Sequence, residues 1–374
     1  MKKLSLAVIG AGRLGGFHAQ KILGLPHVEL LAVVDPLAAN RNRLATECST
    51  QALADHTSLL GRVDAAVIAS PTRYHHKLAM DFLEAGTHLL VEKPLAATLA
   101  EANELVAAAR RRNLVLQVGH VERFNPALTA AMPHLHSPKF IDAVRTSGFT
   151  FRSTDIGVVL DLMIHDIDLV LSLVRSPLCK VDAVGFSVVG GEEDAANARL
   201  EFECGCVATL SASRVSYEPV RRMHVWSSRA FAAIDLAART TTLVRPSEAL
   251  LRRQFQVERL TPEQVDYYRG HFAEEHLPRE HKQFEAVDAL ALELQDFVDA
   301  IRAPRQPRVT GAMGRDALAV AEQILVRIGD HAWDRAAGAP AGPLATPQPS
   351  IVPAPHFDLS AQRRSSLAAE NEGR

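Results

Sequence analysis

Two short stretches carry side chains suited to removing a proton and a hydride from an alcohol. In Glu92-Lys93-Pro94 the proline fixes its own φ and biases Lys93 toward an extended backbone. In Asp161-Leu162-Met163-Ile164-His165 a carboxylate and an imidazole stand at i and i+4, so a helix would place them on one face. A hydride leaves a C–H bond only as the neighbouring O–H gives up its proton, and histidine accepts protons near pH 7. A lysine whose pKa is lowered by burial can share that task, and as a cation it stabilises negative charge on the oxygen. Asp161 could orient His165 or hold substrate, and Asp168 extends the same polar face. One histidine and two aspartates could instead ligate a metal, but nothing else supports one, and no metal is expected. An isolated Lys-Pro is more often a surface turn, and an isolated buried histidine is more often a satisfied core residue. Here Leu160, Leu162, Ile164, Ile167 and Leu169 mark the surrounding helix as largely buried. Acid and imidazole groups there are costly unless they line a site.

A nucleotide site precedes these residues. Gly10-Ala11-Gly12-Arg13-Leu14-Gly15 lies between an apolar run and a helical stretch, as the dinucleotide fingerprint requires. Its glycines permit a tight turn, close approach of a pyrophosphate, and close packing of helix on strand. Asp35 ends the next apolar run about 20 residues on, where a carboxylate accepts from the adenosine ribose and repels a 2′-phosphate. That favours NAD over NADP, although Arg41 and Arg43 stand close enough to keep the alternative open. Ser70, Pro71, Thr72 and His75 follow a third strand and would line the crevice; His75 serves equally well as a solvated helix-start residue. Glu92, Lys93, His120 and Arg123 complete the candidate cofactor set. Candidate substrate contacts are Lys93, Arg123, Asn125, Arg152, Asp161 and His165. Arg145, Arg152 and Arg214 together permit an anionic substrate, although each singly is more often structural.

The elements that must position these groups fall into two rhythms. Strands at Leu4–Gly10, Val28–Asp35, Ala65–Ala69, His88–Glu92 and Val115–Gly119 alternate with helices at 13–24, 38–47, 75–85 and Thr98–Arg112. That is the pattern of a Rossmann-type, doubly wound parallel sheet. Beyond residue 122 a helix at 156–174 is followed by β-rich runs at 181–190, 197–203, 206–213, 221–227 and 230–236, then helices at 283–302 and 312–329. The expected fold is α/β: a Rossmann domain at 1–122 and an α+β domain at 123–335 with a large open, mostly antiparallel sheet. The Ala/Pro/Gly-rich tail at 336–374 cannot bury enough apolar surface to offset its ordering and is expected to be mostly disordered, apart from a short docked piece around Ile351.

Composition sets outer limits. A length of 374 residues suggests two or three domains, and 47% hydrophobic content supports more than one core. A net charge of −2 gives no reason to expect nucleic acid or an anionic membrane as partner. No apolar run reaches bilayer length, and the apolar start reads as a buried strand rather than a signal peptide because Arg13 and the glycines interrupt it. Cys48, Cys179, Cys204 and Cys206 form no Cys-x-x-Cys pair, which argues against zinc and dithiol chemistry and fits a reducing cytoplasm. Cys204 and Cys206 should point the same way on one strand.

Gly10-x-Gly12-x-x-Gly15, Ser70-Pro71-Thr72, Glu92-Lys93-Pro94 and Asp161-x-x-x-His165, in this order, resemble the Gfo/Idh/MocA oxidoreductase family over about residues 4–330. The resemblance implies that Lys93 and His165 serve catalysis and that Asp161 helps hold substrate. It also implies that the open sheet builds a homodimer or homotetramer. Ser70 stands where the family usually has threonine, which keeps the hydroxyl. Gly119-His120-Val121-Glu122-Arg123-Phe124-Asn125-Pro126 and Leu162–Asp168 are similar to the branch that oxidises the 3-hydroxyl of UDP-N-acetylglucosamine. This implies an NAD-dependent route to a 3-keto nucleotide sugar, with a pyridoxal-phosphate aminotransferase as functional partner and a 3-amino sugar for lipid A. The alternatives are a dehydrogenase of inositol or another sugar or polyol, and a non-catalytic NAD-binding sensor. Retention of both Lys93 and His165 argues against the sensor.

Overall fold

A computed structural model describes residues 3–151, 156–303, 305–333 and 341–345. Apolar runs and helical stretches alternate in its first part: β1 (Leu4–Ile9), α1 (Arg13–Leu23), β2 (Val28–Val34), α2 (Ala38–Cys48), β3 (Gln51–Leu53), β4 (Ala65–Ile68), α3 (His75–Glu84), β5 (His88–Glu92), α4 (Leu99–Arg111) and β6 (Leu116–Gly119). The six strands are parallel, in the order β3-β2-β1-β4-β5-β6. The order reverses between β1 and β4, and the crevice outside the strand ends at such a point is where doubly wound sheets bind ligands. The glycine loop, Ser70 and Lys93 all follow carboxyl ends of these strands.

The second part runs through α5 (Pro126–Ala131), β7 (Pro138–Thr146), a π-helical turn at Val159–Met163 leading into α6 (Ile164–Val174), and β8 (Leu178–Phe186). Then come β9 (Ala195–Phe202), β10 (Val207–Ser213), β11 (Val220–Ser227), β12 (Phe231–Asp235), β13 (Thr240–Val244), α7 (Glu248–Leu251), α8 (Pro262–His276) and β14 (Arg279–Gln283). Two helices, α9 (Ala289–Arg302) and α10 (Gly311–Asp330), follow. The sheet has eight strands in the order β14-β13-β12-β11-β7-β10-β9-β8, antiparallel except where β7 meets β10.

Side-chain alternation explains the layers. Leu6, Val8, Val67 and Leu90 pack with Ile22, Leu44, Leu294 and Phe297 on one face of the parallel sheet. Their neighbours Ala7, Ile9, Ile68, Leu89 and Val91 pack with Phe82, Leu105 and Leu318 on the other. Ile141, Ala143, Leu210, Met223 and Val225 of the second sheet bury one face against Ile164, Ile167, Val170 and Ile324. Thus α9 covers the first sheet, and α10 contributes to two cores.

Both sheet types match the expected fold, with local differences. The central strand β7 was not expected, because the apolar alternation of Ile141 and Ala143 ends on Arg145, a charge pointing inward. The expected helix at 283–302 begins at Ala289, after Asp288, whose carboxylate accepts from Ala291 N–H at 3.0 Å; Arg279–Gln283 instead closes the sheet edge. Cys204 and Cys206 flank the β9–β10 turn rather than sharing a strand, and burial pushes the Cys206 thiol up to about 11. The described part of the tail docks at 341–345, where Ser187 N–H donates to the Pro343 carbonyl at 2.8 Å; Ile351 lies outside the described residues. Among the described residues no helix is long and apolar enough to cross a membrane.

Candidate active site

The glycine loop has the shape its spacing requires. Gly10 has φ +103°, and a Cβ there would meet the Ala69 carbonyl oxygen at 2.5 Å. A Cβ on Gly15 would lie 1.8 Å from the Gly10 carbonyl oxygen, so only glycine lets α1 approach β1 this closely. Beside Gly12 nothing lies within 4 Å, which leaves open space at the uncapped N-terminus of α1. Free helix N–H groups facing such a space fit a pyrophosphate. Ala11 is buried beneath the loop, and Arg13 and Leu14 are exposed at the start of the helix. The Asp35 carboxylate accepts from Ala11 N–H at 2.9 Å and from Leu37 N–H at 2.8 Å, which holds it against the loop. Arg41 turns back to the Pro36 carbonyl at 2.9 Å, and Arg43 pairs with Glu47 at 2.9 Å.

The next loops are tied from below. His75 is 1% exposed, with Nδ1 2.9 Å from the Pro94 carbonyl and Nε2 2.8 Å from the Ser70 carbonyl. Burial lowers its pKa, and the ring links the Ser70 loop to the cis Lys93-Pro94 turn. It therefore positions the crevice walls and does not face a cofactor. Pro71 and Thr72 form the exposed and half-buried rim, while Ser70 Oγ is enclosed without a partner. Glu92 is buried and bonds His18 Nε2 at 2.6 Å. Glu293 of α9 is fully buried beside them; burial and the charge of Glu92 hold its carboxyl well above the usual range.

Lys93 reaches the other half of the site. Its Nζ donates to the Asp161 carbonyl at 2.7 Å and to Asp161 Oδ1 at 3.1 Å. Asp161 sits in the π turn rather than in a regular α-helix, and no hydrogen bond joins it to His165 among the described residues. The orienting role expected for Asp161 toward His165 is thus replaced by a bond to Lys93. Glu193 sets the start of this turn, accepting from Val159 N–H at 3.0 Å while its own carbonyl accepts from Val158 N–H at 2.9 Å. His165 is half-buried with Nδ1 enclosed and unpartnered. Burial first, then the positive charges of Lys93 and Arg145, hold its pKa well below 6.5. His120 lies edge-on to it, ring centroids 6.2 Å apart, and both His120 ring nitrogens are buried without partners.

Several expected ligand contacts are committed to structure instead. Arg123 is buried, pairs with Asp168 at 3.4 Å and donates to the Arg308 carbonyl at 3.4 Å. Asn125 caps α5 through Ala127 N–H and donates to the Leu236 carbonyl at 2.9 Å. Arg145 is held by Asp166 at 2.9 and 2.8 Å and by Glu122 at 2.9 Å, contacts that raise its pKa. Arg214 bonds Asp194 at 2.6 Å. Arg123 and Asn125 thus already have protein partners, and Arg145 and Arg214 are each held by carboxylates. Arg152 lies outside the described residues. Sequence reasoning missed His18, Glu193, Glu293 and Arg221; of these only Arg221 left a sequence signal, a charge in step with the apolar residues Met223 and Val225.

Residues 4–120 match the oxidoreductase family described as having an NAD-binding Rossmann fold, and residues 130–232 match the Gfo/Idh/MocA C-terminal domain. A UDP-N-acetylglucosamine 3-dehydrogenase of Acidithiobacillus ferrooxidans is 35% identical over 332 residues, which cover 88% of this chain and 98% of that protein. A solved structure of the 3-dehydrogenase from that organism superposes with a TM-score of 0.76 over 87% of this chain and 98% of its own. A myo-inositol 2-dehydrogenase of Thermotoga maritima is 25% identical over 84% of this chain and 93% of its own. A levoglucosan dehydrogenase solved with NADH is 17% identical and shares the fold, with a TM-score of 0.73 over 87% of this chain and 97% of its own. The open space at Gly12, the uncapped helix end and the unpartnered Ser70 and His120 atoms fit a dinucleotide. With an NAD-binding first domain and the C-terminal domain beside it, the chain belongs to the Gfo/Idh/MocA family of oxidoreductases, as a dehydrogenase acting on CH–OH groups.

Proposed function

We propose that this enzyme oxidises the 3-hydroxyl of UDP-N-acetylglucosamine to the 3-keto sugar with NAD. The observation that carries the reading is the Lys93–Asp161 pair beside a neutral His165, in a chain similar to a UDP-N-acetylglucosamine 3-dehydrogenase over 98% of that protein's length. The glycine loop and α1 would hold the pyrophosphate, Asp35 the adenosine ribose, and Ser70 and His120 the nicotinamide half. NAD is favoured over NADP because Asp35 is held against the glycine loop, where an acid repels a 2′-phosphate, and the neighbouring cations already have partners. When bound, NAD supplies the hydride acceptor. An ammonium has three donors; Lys93 spends two on Asp161 and keeps one for the substrate oxygen. His165, uncharged near pH 7, takes the hydroxyl proton onto its imidazole, and Lys93 stabilises the negative charge that develops on the oxygen.

A 3-keto sugar is the substrate type that a pyridoxal-phosphate aminotransferase converts to a 3-amino sugar, here one destined for lipid A. The exposed Phe140 and Trp226 on the second sheet's outer face support a homo-oligomer. The second reading is a polyol dehydrogenase, favoured by the likeness to a myo-inositol 2-dehydrogenase. The test follows absorbance of reduced nicotinamide with NAD and either UDP-N-acetylglucosamine or myo-inositol, adding aminotransferase and glutamate to pull the first reaction. Reduction with the nucleotide sugar alone supports the proposal. Reduction with inositol alone selects the polyol reading, and NAD binding with neither reaction selects the sensor.

A further inference from the structure

Arg221 stands opposite Arg145 in the antiparallel pairing of β11 with β7. Alternation along β11 puts it on the same face as Met223 and Val225, which are buried under the helices. The same face meets α6, which bears Asp166 and follows the π turn, and the turn that carries Glu122. Two adjacent arginines therefore project toward the catalytic end of the second domain, with opposite fates. Arg145 is closed off by its three carboxylate contacts and has a side chain only 3% exposed. The Arg221 side chain is 54% exposed, and its anionic partner, Glu122 Oε1, lies 3.6 Å away. That oxygen already receives Arg145 Nη1 at 2.9 Å, and the other Glu122 oxygen receives Asn125 Nδ2 at 3.2 Å.

Glu122 would thus stay fully held if Arg221 left it, and a long, exposed ion pair contributes at most about 1 kcal/mol. The guanidinium is able to exchange this contact for a better acceptor at little cost. We propose that Arg221 binds the diphosphate of the substrate and selects a nucleotide sugar over a free sugar or polyol. The inference rests on the nucleotide-sugar reading above and names the group that recognises its anionic half. A guanidinium presents a planar fork that matches two phosphate oxygens, whereas the Lys93 ammonium is held at the hydroxyl end by Asp161. An uncharged polyol would gain nothing from such a cation.

Calorimetry with UDP as the probe tests this on the full chain saturated with NAD. Arg221→Met should weaken UDP binding about 10- to 100-fold, the loss expected for a hydrogen-bonded charged contact. Arg221→Lys should recover part of it, and NAD affinity should hold in both variants. In turnover the loss should fall more on KM for UDP-N-acetylglucosamine than on kcat. Equal UDP affinity in wild type and Arg221→Met would overturn the inference and leave the substrate reading standing. Failure of the wild type to bind UDP would overturn both. A parallel fall in NAD affinity in Arg221→Met and Arg221→Lys would assign Arg221 to the fold and overturn the inference.

Discussion

A histidine can act as base only if it meets the substrate unprotonated. His165 meets that condition because burial and the charges of Lys93, Arg145, His120 and Arg221 all disfavour its cationic form. The protonated form is the inactive one, so activity falls as pH drops through the His165 pKa. Because that pKa is depressed, kcat/KM should hold level from pH 7 down to 6.5 and decline only below it. His165→Asn should lower kcat by about 10²- to 10⁴-fold and abolish that acid limb. A limb centred above pH 6.5 in the wild type would contradict the assignment. Lys93, Asp161 and His165 were legible in the sequence as candidates because their types suit proton removal and their motifs follow the glycine loop in a set order. Partners were not. Arg123 and Asn125 read as ligand contacts, and only the fold reveals that Asp168 and the Leu236 carbonyl already occupy them.

At the scale of elements, the glycine loop separates two functions that the motif writes with one letter. Gly15 serves packing, since its absent Cβ is where the Gly10 carbonyl lies; Gly12 serves the ligand, since nothing in the protein fills its space. Gly15→Ala should therefore cost about 1–3 kcal/mol of stability or more through overpacking. Gly12→Ala should cost no more than about 1 kcal/mol while NAD affinity drops at least about tenfold. Chemical denaturation and NAD titration of both variants check the pair, and equal effects on stability would contradict the division. Five strands of the parallel sheet were legible because they are largely apolar runs bounded by turns; the edge strand β3 is too short and too exposed to stand out. The π turn was not, because Val159–Met163 carries the same apolar spacing as an ordinary helix start. Its position depends on Glu193, which reaches it from the β8–β9 connection. Strand β7 stayed hidden because Arg145 occupies an inward position that only Asp166 and Glu122 make tolerable.

Across the whole molecule, the second sheet buries one face under helices, and among the described residues the other face carries exposed aromatic side chains. On that outer face Phe140, Trp226 and Phe231 pack ring to ring at 5.1 and 5.0 Å, with Phe140 and Trp226 each 38% exposed. A contiguous aromatic patch on an open sheet suits an interface between copies of the chain. Light scattering at micromolar concentration should give the mass of a dimer or tetramer, and Trp226→Glu should reduce it; a monomeric wild type would contradict this assembly. In the proposed reaction His165 and Lys93 act at the sugar 3-hydroxyl, so that the hydride leaves from C3. Turnover of UDP-N-acetylglucosamine deuterated at C3, with mass analysis of the reduced nicotinamide, tests it most directly. NADH should carry one deuterium, and the hydride step should slow in single turnover. Unlabelled NADH formed from the same substrate would place the oxidation at another carbon and contradict the claim.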